Sequence, residues 1–149
     1  MAGHVVHSRK SAKKFVLVVK STLIHVPKIE RFLLKVNQLL HLNEVQFNKL
    51  FIATTEAVNN SILHGNRSDP KKKVTVTCEI GTKTLTVRVR DEGGGFDQKR
   101  VRNPLLKVNL LRENGRGIFL MRTLMDKVRF QRTPQGAEVV MKMRLKNGM

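Results

Sequence analysis

A carboxylate and an amide stand one helical turn apart in the segment EAVNNSILHGN, residues 56–66. At positions i and i+4 of a helix, Glu56 and Asn60 project side by side. A carboxylate can accept a proton and an amide oxygen can bind a metal ion, so the pair suits a reactive polar site. A solvated helix face is the simpler interpretation of this segment taken alone. The apolar residues on the opposite side of the same helix recur at helical spacing: Phe47, Leu50, Phe51, Val58 and Ile62.

A first glycine cluster follows Asp91, where residues 93–95 are three consecutive glycines. Such a run frees the backbone and lets a ligand approach the chain closely. Asp91 lies at the end of a predicted strand, where its carboxylate can accept a hydrogen bond from an amino group such as that of adenine. A flexible turn is the alternative interpretation of this cluster.

A second cluster, residues 113–117 with the sequence ENGRG, directly precedes a predicted helix. Glycines at a helix N-terminus expose amide donors at the positive end of the helix dipole, which favours phosphate. Arg116 adds a charged donor. Simple helix capping is the alternative, and neither cluster has P-loop or Rossmann spacing.

Charge and size limit the classes of protein to consider. The 149 residues suffice for one domain, and 29 Lys and Arg against 11 Asp and Glu give a formal net charge of +18. Such a surface attracts polyanions. Trp and Tyr are absent and the cations are spread along the chain, so direct nucleic-acid binding is not the favoured interpretation. We expect a basic tail over residues 1–13 and one domain over residues 14–146.

The single cysteine and the short apolar runs indicate a cytoplasmic protein. Cys78 cannot form an intrachain disulfide, and its alternation with apolar residues predicts a buried strand thiol. The early apolar run over residues 15–19 is too short for a signal core. No segment is long enough to cross a bilayer, so we expect no membrane association.

The elements that must position these residues follow from hydrophobic periodicity. The order of these elements predicts an α+β fold, a two-layer sandwich with helices on one face of a mixed, mostly antiparallel sheet. Pro27 suits the start of the first helix, Asn43 the N-cap of the second and Gly65 its end. The predicted order is a strand at 15–19, helices at 27–40 and 44–65, strands at 74–80 and 85–89, a mobile loop at 97–114, a helix from 118 to 125, and a hairpin of 127–132 with 137–145.

Taken in order, the three motifs resemble those of the GHKL ATPase superfamily, which has the Bergerat fold and includes gyrase, heat-shock chaperone, histidine kinase and mismatch-repair ATPases. The chain is most similar to the small single-domain branch, the anti-sigma-factor serine/threonine protein kinases. The resemblance extends from about residue 15 over nearly the whole chain. Its matching segments are residues 56–60, 64–66, 91–96, 115–121 and 124–126.

The resemblance implies ATP and Mg²⁺ as cofactors. Asn60 would coordinate the Mg²⁺ that bridges the phosphates, and Asp91 would recognise the adenine amino group. Gly93 and Gly95 would make room for the base. A second pair of glycines, Gly115 and Gly117, would donate backbone amides to the phosphates. Residues 98–114 would form a lid over the nucleotide.

The resemblance also implies that Glu56 is the general base that takes the proton from a partner's serine or threonine hydroxyl. Phosphoryl transfer needs mainly positioning, charge neutralisation and an oriented nucleophile, which a carboxylate there would supply. Arg31 and Arg112 are candidates for a contact with the phosphate or the partner protein, and Arg116 for the ATP site.

Two departures from the family pattern predict a reduced affinity for the nucleotide. Where many relatives carry Gly-Thr in the final hairpin, this chain has Gly136 and Ala137. Glu113 places an acid close to the expected phosphates, where Arg112 and Arg116 could compensate for it.

The expected function is that of a kinase that phosphorylates an anti-sigma-factor antagonist and sequesters a sigma factor, as a homodimer. A nucleotide-gated binding module without phosphoryl transfer is an alternative, although the carboxylate of Glu56 argues against it. A histidine-kinase-type ATPase domain acting in trans is another, and nucleic-acid association through the basic surface is a third.

Overall fold

The computed structural model describes residues 13–22, 25–93 and 115–146. Lys13, the last residue of the predicted tail, begins the first strand, and the rest of that tail lies outside the described residues. Within these ranges there are three helices: α1 (Val26–Leu40), α2 (Glu44–Asn60), which continues as a π-helical turn (Ser61–Gly65), and α3 (residues 115–124). The strands are β1 (Lys13–Lys20), β2 (Lys73–Ile80), β3 (Thr84–Arg90), β4 (Lys127–Arg132) and β5 (Ala137–Arg144).

The five strands form one sheet in the order β1-β2-β3-β5-β4, and all four neighbouring pairs are antiparallel. Alternate side chains face the helices, and the register aligns them in rows across the sheet. One such row joins Phe15, Cys78, Val87, Met141 and Val128. The predicted α+β sandwich, with helices on one face of the sheet, is confirmed.

Local sequence signals explain where the first two helices begin. Pro27 occupies the first turn of α1, where its missing N–H costs no hydrogen bond. Asn43 caps α2, since its Oδ1 accepts from the amide of Gln46 at 2.8 Å and Gln46 Oε1 accepts from the amide of Asn43 at 3.3 Å. Both helices then bury one face against the sheet, through Ile29, Leu33, Val36, Leu50 and Val58, which are all fully buried.

The buried face of the sheet contains Cys78, as predicted. Its thiol is fully buried between β1 and β3, and burial raises the pKa of Cys78 to about 12. The thiol therefore stays protonated and acts as a small apolar side chain in the core. In the part of the chain that the structure describes, no helix combines the length and the apolar character needed to cross a membrane.

The end of α2 differs from its prediction. A continuous helix to Gly65 was expected, whereas the α-helix ends at Asn60 and the next five residues form a π-helical turn. The amide of Asn66 donates to the carbonyl of Ser61 at 2.8 Å, five residues back. Wider turns of this kind are frequent at functional sites, and here the turn brings the backbone of Gly65 against the end of β3.

Candidate active site

Asp91 is buried where β3 ends beside the start of β5, and we call its surroundings the Asp91 pocket. The residue is 4% exposed, and its Oδ1 accepts hydrogen bonds from the amides of Gly93 at 3.1 Å and Ala137 at 3.0 Å. Its own amide donates to the carbonyl of Ala137 at 2.9 Å. Burial raises the pKa of the Asp91 carboxyl, against the lowering effect of these two amides and of the charge of Lys72.

Three glycines make the pocket around Asp91 possible. A methyl group on Gly65 would overlap the Asp91 carboxylate, and one on Gly93 would overlap the carbonyl oxygen of Gly65. A methyl group on Gly136 would lie 2.7 Å from Asp91 Oδ1. Any larger residue at these positions must displace the carboxylate or the backbone. Sequence reasoning named Gly93 for the room it leaves to a base and missed this second reason, which involves contacts distant in sequence.

Ala137, where the resemblance described above leads us to expect threonine, contacts Asp91 without using a side-chain hydroxyl. Ala137 binds Asp91 through its backbone amide and carbonyl, which any residue except proline offers. The hydrogen bonds that orient Asp91 therefore do not depend on the missing hydroxyl.

A ring of hydrogen bonds holds the turn after Asp91, and sequence reasoning missed it. Asn66 Oδ1 accepts from the amide of Glu92 at 2.7 Å, and Asn66 Nδ2 donates to the carbonyl of Lys73 at 3.0 Å. The Glu92 carboxylate closes the ring by accepting from the amide of Lys73 at 2.7 Å. Asn66 is 1% exposed and also donates to the hydroxyl of Ser21, so its side chain joins β1, β2 and the Asp91 turn.

Glu56 and Asn60 lie on α2 where this helix approaches the start of α3. A methyl group on Gly117 would lie 3.6 Å from Glu56 Oε2 and 3.6 Å from both polar atoms of the Asn60 amide. The first and third motifs therefore meet, as the interpretation of the sequence required. The π-helical turn that directly follows Asn60 ends at Gly65, which contacts Asp91. The Asp91 pocket and the Glu56–Asn60 pair thus lie along one end of α2.

The donor set near Asn60 fits a magnesium–nucleotide complex. Mg²⁺ usually takes one or two protein oxygen ligands and completes its octahedral shell with phosphate oxygens and waters. The half-buried amide of Asn60 can offer one such oxygen next to the first turn of α3. Backbone amides at the start of a helix are suited to meet phosphate oxygens.

The remaining predicted site residues are either exposed or outside the described residues. Arg31 on α1 and Arg116 on α3 are both exposed, and Gly115 has open space where a methyl group would stand. Gly95, Arg112, Glu113 and the lid predicted over residues 98–114 lie outside the described residues.

Comparison with known proteins agrees with this geometry. The family model described as "Histidine kinase-like ATPase domain" matches residues 19–143. An "Anti-sigma F factor" of Clostridium novyi (strain NT) is 38% identical over 98 residues, which cover 64% of this chain and 68% of the relative. A "Serine-protein kinase RsbW" of Bacillus subtilis (strain 168) is 35% identical over 92 residues, 58% of each chain, so this alignment spans less than two thirds of that relative.

A second "Anti-sigma F factor", from Oceanobacillus iheyensis, is 31% identical over 99 residues, which cover 64% of this chain and 68% of the relative. The family match runs from the last two residues of β1 almost to the end of β5 and includes all three segments of the candidate site. The chain therefore belongs to the histidine kinase-like ATPase domain family and, within it, is similar to RsbW-type anti-sigma-factor kinases.

Proposed function

We propose that this protein is an ATP- and Mg²⁺-dependent serine/threonine protein kinase that also acts as an anti-sigma factor. The observation that carries the proposal is the position of the Glu56 carboxylate beside Asn60 and Gly117. A carboxylate, an amide and the backbone of α3 lie close together there, and they would supply the proton acceptor, the metal ligand and the phosphate-binding amides that phosphoryl transfer to a hydroxyl requires.

Nucleotide binding would use the two ends of the site in different ways. The Asp91 carboxylate would accept a hydrogen bond from the adenine amino group, since its Oδ1 is already engaged by two amides and its Oδ2 is turned towards Gly65. The first-turn amides of α3, at Gly115 and Gly117, would donate to phosphate oxygens. Mg²⁺ held by Asn60 would supply charge neutralisation between the phosphates.

Glu56 would act as the general base for the acceptor hydroxyl. As the hydroxyl oxygen forms its bond to the γ-phosphorus, the bond from that phosphorus to the β–γ bridging oxygen breaks and ADP leaves. The hydroxyl proton moves to the Glu56 carboxylate. Ile52, one turn before Glu56, is 41% exposed and Leu63, two turns after it, is 48% exposed. These side chains would give an acceptor protein an apolar contact beside the base.

The proposed acceptor is an anti-sigma-factor antagonist, and its phosphorylation would leave the kinase bound to a sigma factor. The names of the relatives support the anti-sigma and kinase roles. We further propose that the protein works in the cytoplasm as a homodimer, with Arg31, exposed on α1, as a contact to the phosphate or to a partner.

Phosphoryl transfer from labelled ATP to the purified cognate antagonist, with and without Mg²⁺, tests the proposal. We expect Glu56→Gln to lower the rate of transfer by about 10²–10⁴-fold, the usual contribution of a general base. Its dissociation constant for ATP, measured by calorimetry, should stay unchanged. Asn60→Ala should instead weaken the binding of ATP in the presence of Mg²⁺.

Two outcomes would contradict the proposal. Transfer by Glu56→Gln at the unmodified rate would remove Glu56 from the reaction. If the unmodified protein binds both ATP and the antagonist without any transfer, the protein is a nucleotide-gated binding module and not a kinase.

A further inference from the structure

The sheet has a second face, opposite to the helices, that no described helix covers. Its side chains alternate with those of the core, and the register aligns them in rows. We call this surface the open face. Its central row runs from Val16 through Thr77, Arg88 and Val140 to Arg129.

The two acidic side chains of the open face are both engaged by its central arginine. Arg88 Nε lies 2.8 Å from Glu79 Oε1 and Arg88 Nη1 lies 3.4 Å from Glu138 Oε1. Glu138 Oε1 also accepts from Gln131 Nε2 at 2.7 Å. The two acids are therefore committed to neighbours within the sheet and leave the other charges of this face uncompensated.

Those other charges are all positive. Lys14, Arg90, Arg129 and Lys142 project from four different strands around Arg88, and none of them forms an ion pair within the described parts of the chain. An open depression of about 300 Å³ lies between Lys14 and Arg90. Arg88, Glu79 and Glu138 also line this depression. Because Arg88 engages both acids, the excess positive charge of Lys14 and Arg90 attracts groups of the opposite sign.

Exposed aliphatic side chains adjoin this positive surface. Val16 is 54% exposed and Val18 is 49% exposed, both on β1, and Val16 lines the depression. By contrast, Val140 is 2% exposed between Arg88 and Arg129, as expected where long arginine stems lie along an aliphatic side chain. The exposed apolar area of the open face is thus concentrated at its β1 side.

These features select one kind of occupant. A second copy of the chain would place like charges opposite one another across the contact. A nucleic acid would find no aromatic side chain for stacking among the open-face positions, and its phosphates would leave the valines uncovered. An acidic protein segment with aliphatic side chains would satisfy both the charges and the valines.

We propose that the open face binds an acidic segment of a partner protein, whose carboxylates meet Lys14, Arg90, Arg129 and Lys142 and whose aliphatic side chains cover Val16 and Val18. This contact lies on the side of the sheet away from Glu56 and Asn60. It goes beyond the proposed kinase activity and does not depend on it.

Titration of the isotope-labelled full chain with a synthetic peptide of alternating Glu and Val, about twelve residues long to match two strand lengths, tests the proposal by NMR. We expect amide shifts at Val16, Thr77 and Arg88 and none at Glu56. A peptide with Lys in place of Glu should cause no shifts. Shifts confined to the helix layer, or equal shifts with the Lys peptide, would overturn the proposal.

Matched double variants distinguish peptide binding at the open face from attraction to the total charge of the protein. Lys14→Glu with Arg129→Glu should weaken peptide binding about tenfold, because each reversal removes an attraction and adds a repulsion. The same charge change on the exposed side of α1, Lys28→Glu with Lys35→Glu, should weaken it by less than about threefold. Equal losses in the two double variants would show unspecific attraction and overturn the proposal.

Further experiments test the apolar contact with the valines and the two competing occupants of the open face. Val16→Ser with Val18→Ser should weaken binding of the Glu-Val peptide several-fold, whereas Leu34→Ser, an equally exposed change on α1, should not. Duplex DNA that binds more tightly than the peptide at the same residues, unaffected by the valine changes, would make the face a nucleic-acid surface. A doubling of mass in ultracentrifugation that the Lys14→Glu with Arg129→Glu variant abolishes would make it a contact between copies.

Discussion

The Asp91 pocket and the Glu56–Asn60 pair lie along the same end of α2 but differ in how completely the protein builds them. Asp91 is 4% exposed, held by two amides and enclosed by glycine backbone. Glu56 and Asn60 are half-buried, and within the described residues their side chains form no hydrogen bond. The end assigned to adenine is therefore preorganised, whereas the end assigned to chemistry keeps its polar groups available for phosphate, metal ion and acceptor.

The largest effect on this contrast is expected from Gly65→Ala, because the added methyl group overlaps the Asp91 carboxylate. Overpacking of this kind typically lowers the free energy of unfolding by about 1–3 kcal/mol. Displacement of Asp91 should also weaken ATP binding at least about tenfold. Thermal unfolding and calorimetry measure the two effects.

Gly115→Ala is the matched control, since a methyl group at Gly115 meets nothing within 4 Å and the backbone amide remains. It should leave both the melting temperature and the ATP affinity close to those of the unmodified protein. If the two alanine variants behave alike, the Asp91 pocket is not the rigid part of the site.

A second, smaller effect is expected from Asp91→Asn. The Asn side-chain oxygen can still accept from Gly93 and Ala137, so the fold should persist. The other terminal atom becomes a donor and, in the proposed complex, would face the adenine amino group, which is also a donor. Loss of a charged hydrogen bond of about 1.5–3 kcal/mol corresponds to a roughly 10–100-fold weaker affinity for ATP. Calorimetry compares the ATP affinity of this variant with that of Glu56→Gln, which should bind ATP as tightly as the unmodified protein. Equal losses of ATP affinity in the two variants would refute the assignment of adenine to one end of the site and chemistry to the other.

Elements of the fold with local signals were predictable from the sequence. Alternation identified β2 and β3, Asn43 identified the start of α2, and helical spacing identified its buried face. These signals depend on neighbours only a few residues away, so the sequence carries them without knowledge of the fold.

The contacts that shape the Asp91 pocket were not predictable in the same way. Gly65 was interpreted as a helix end within a family-matching segment, yet it is required by a carboxylate in a different segment, and Gly136 is required by the same group. Asn66 was placed in the same matching segment without any predicted contact, although it bonds to Ser21, 45 positions earlier. These contacts join residues that are distant in sequence and form only when the chain has folded. The spacing of the motifs therefore does not predict them.

Asn66→Ala should break the hydrogen-bond ring that connects the Asp91 turn to β2. The change leaves the Glu92 amide and the Lys73 carbonyl without their partner, at a combined cost of roughly 2–4 kcal/mol in the free energy of unfolding. ATP affinity should fall by less than it does in Asp91→Asn, because Asp91 keeps its own two amides. Asn48→Ala, an exposed asparagine on α2, is the control and should change neither quantity. A normal melting temperature for Asn66→Ala would show that water replaces the ring.

The smallest expected effect is the pH dependence that Asp91 confers. It should have opposite signs for the free energy of unfolding and for the affinity for ATP. Because burial raises the Asp91 pKa above its ordinary value of 3.8, the folded protein holds this proton more tightly than the unfolded chain does. The contribution of Asp91 to stability is therefore fully present below the unfolded pKa and is lost as pH rises through the folded pKa. If ATP meets the ionised carboxylate as proposed, its binding should weaken as pH falls through the raised pKa of folded Asp91, at a higher pH than for a solvent-exposed carboxyl group. Unfolding and calorimetric titrations on the acid side of neutrality should show the two trends, and Asp91→Asn should remove both because it has no proton to exchange. If ATP affinity has the same pH dependence in Asp91→Asn, another group controls it and Asp91 is not the residue that meets the base.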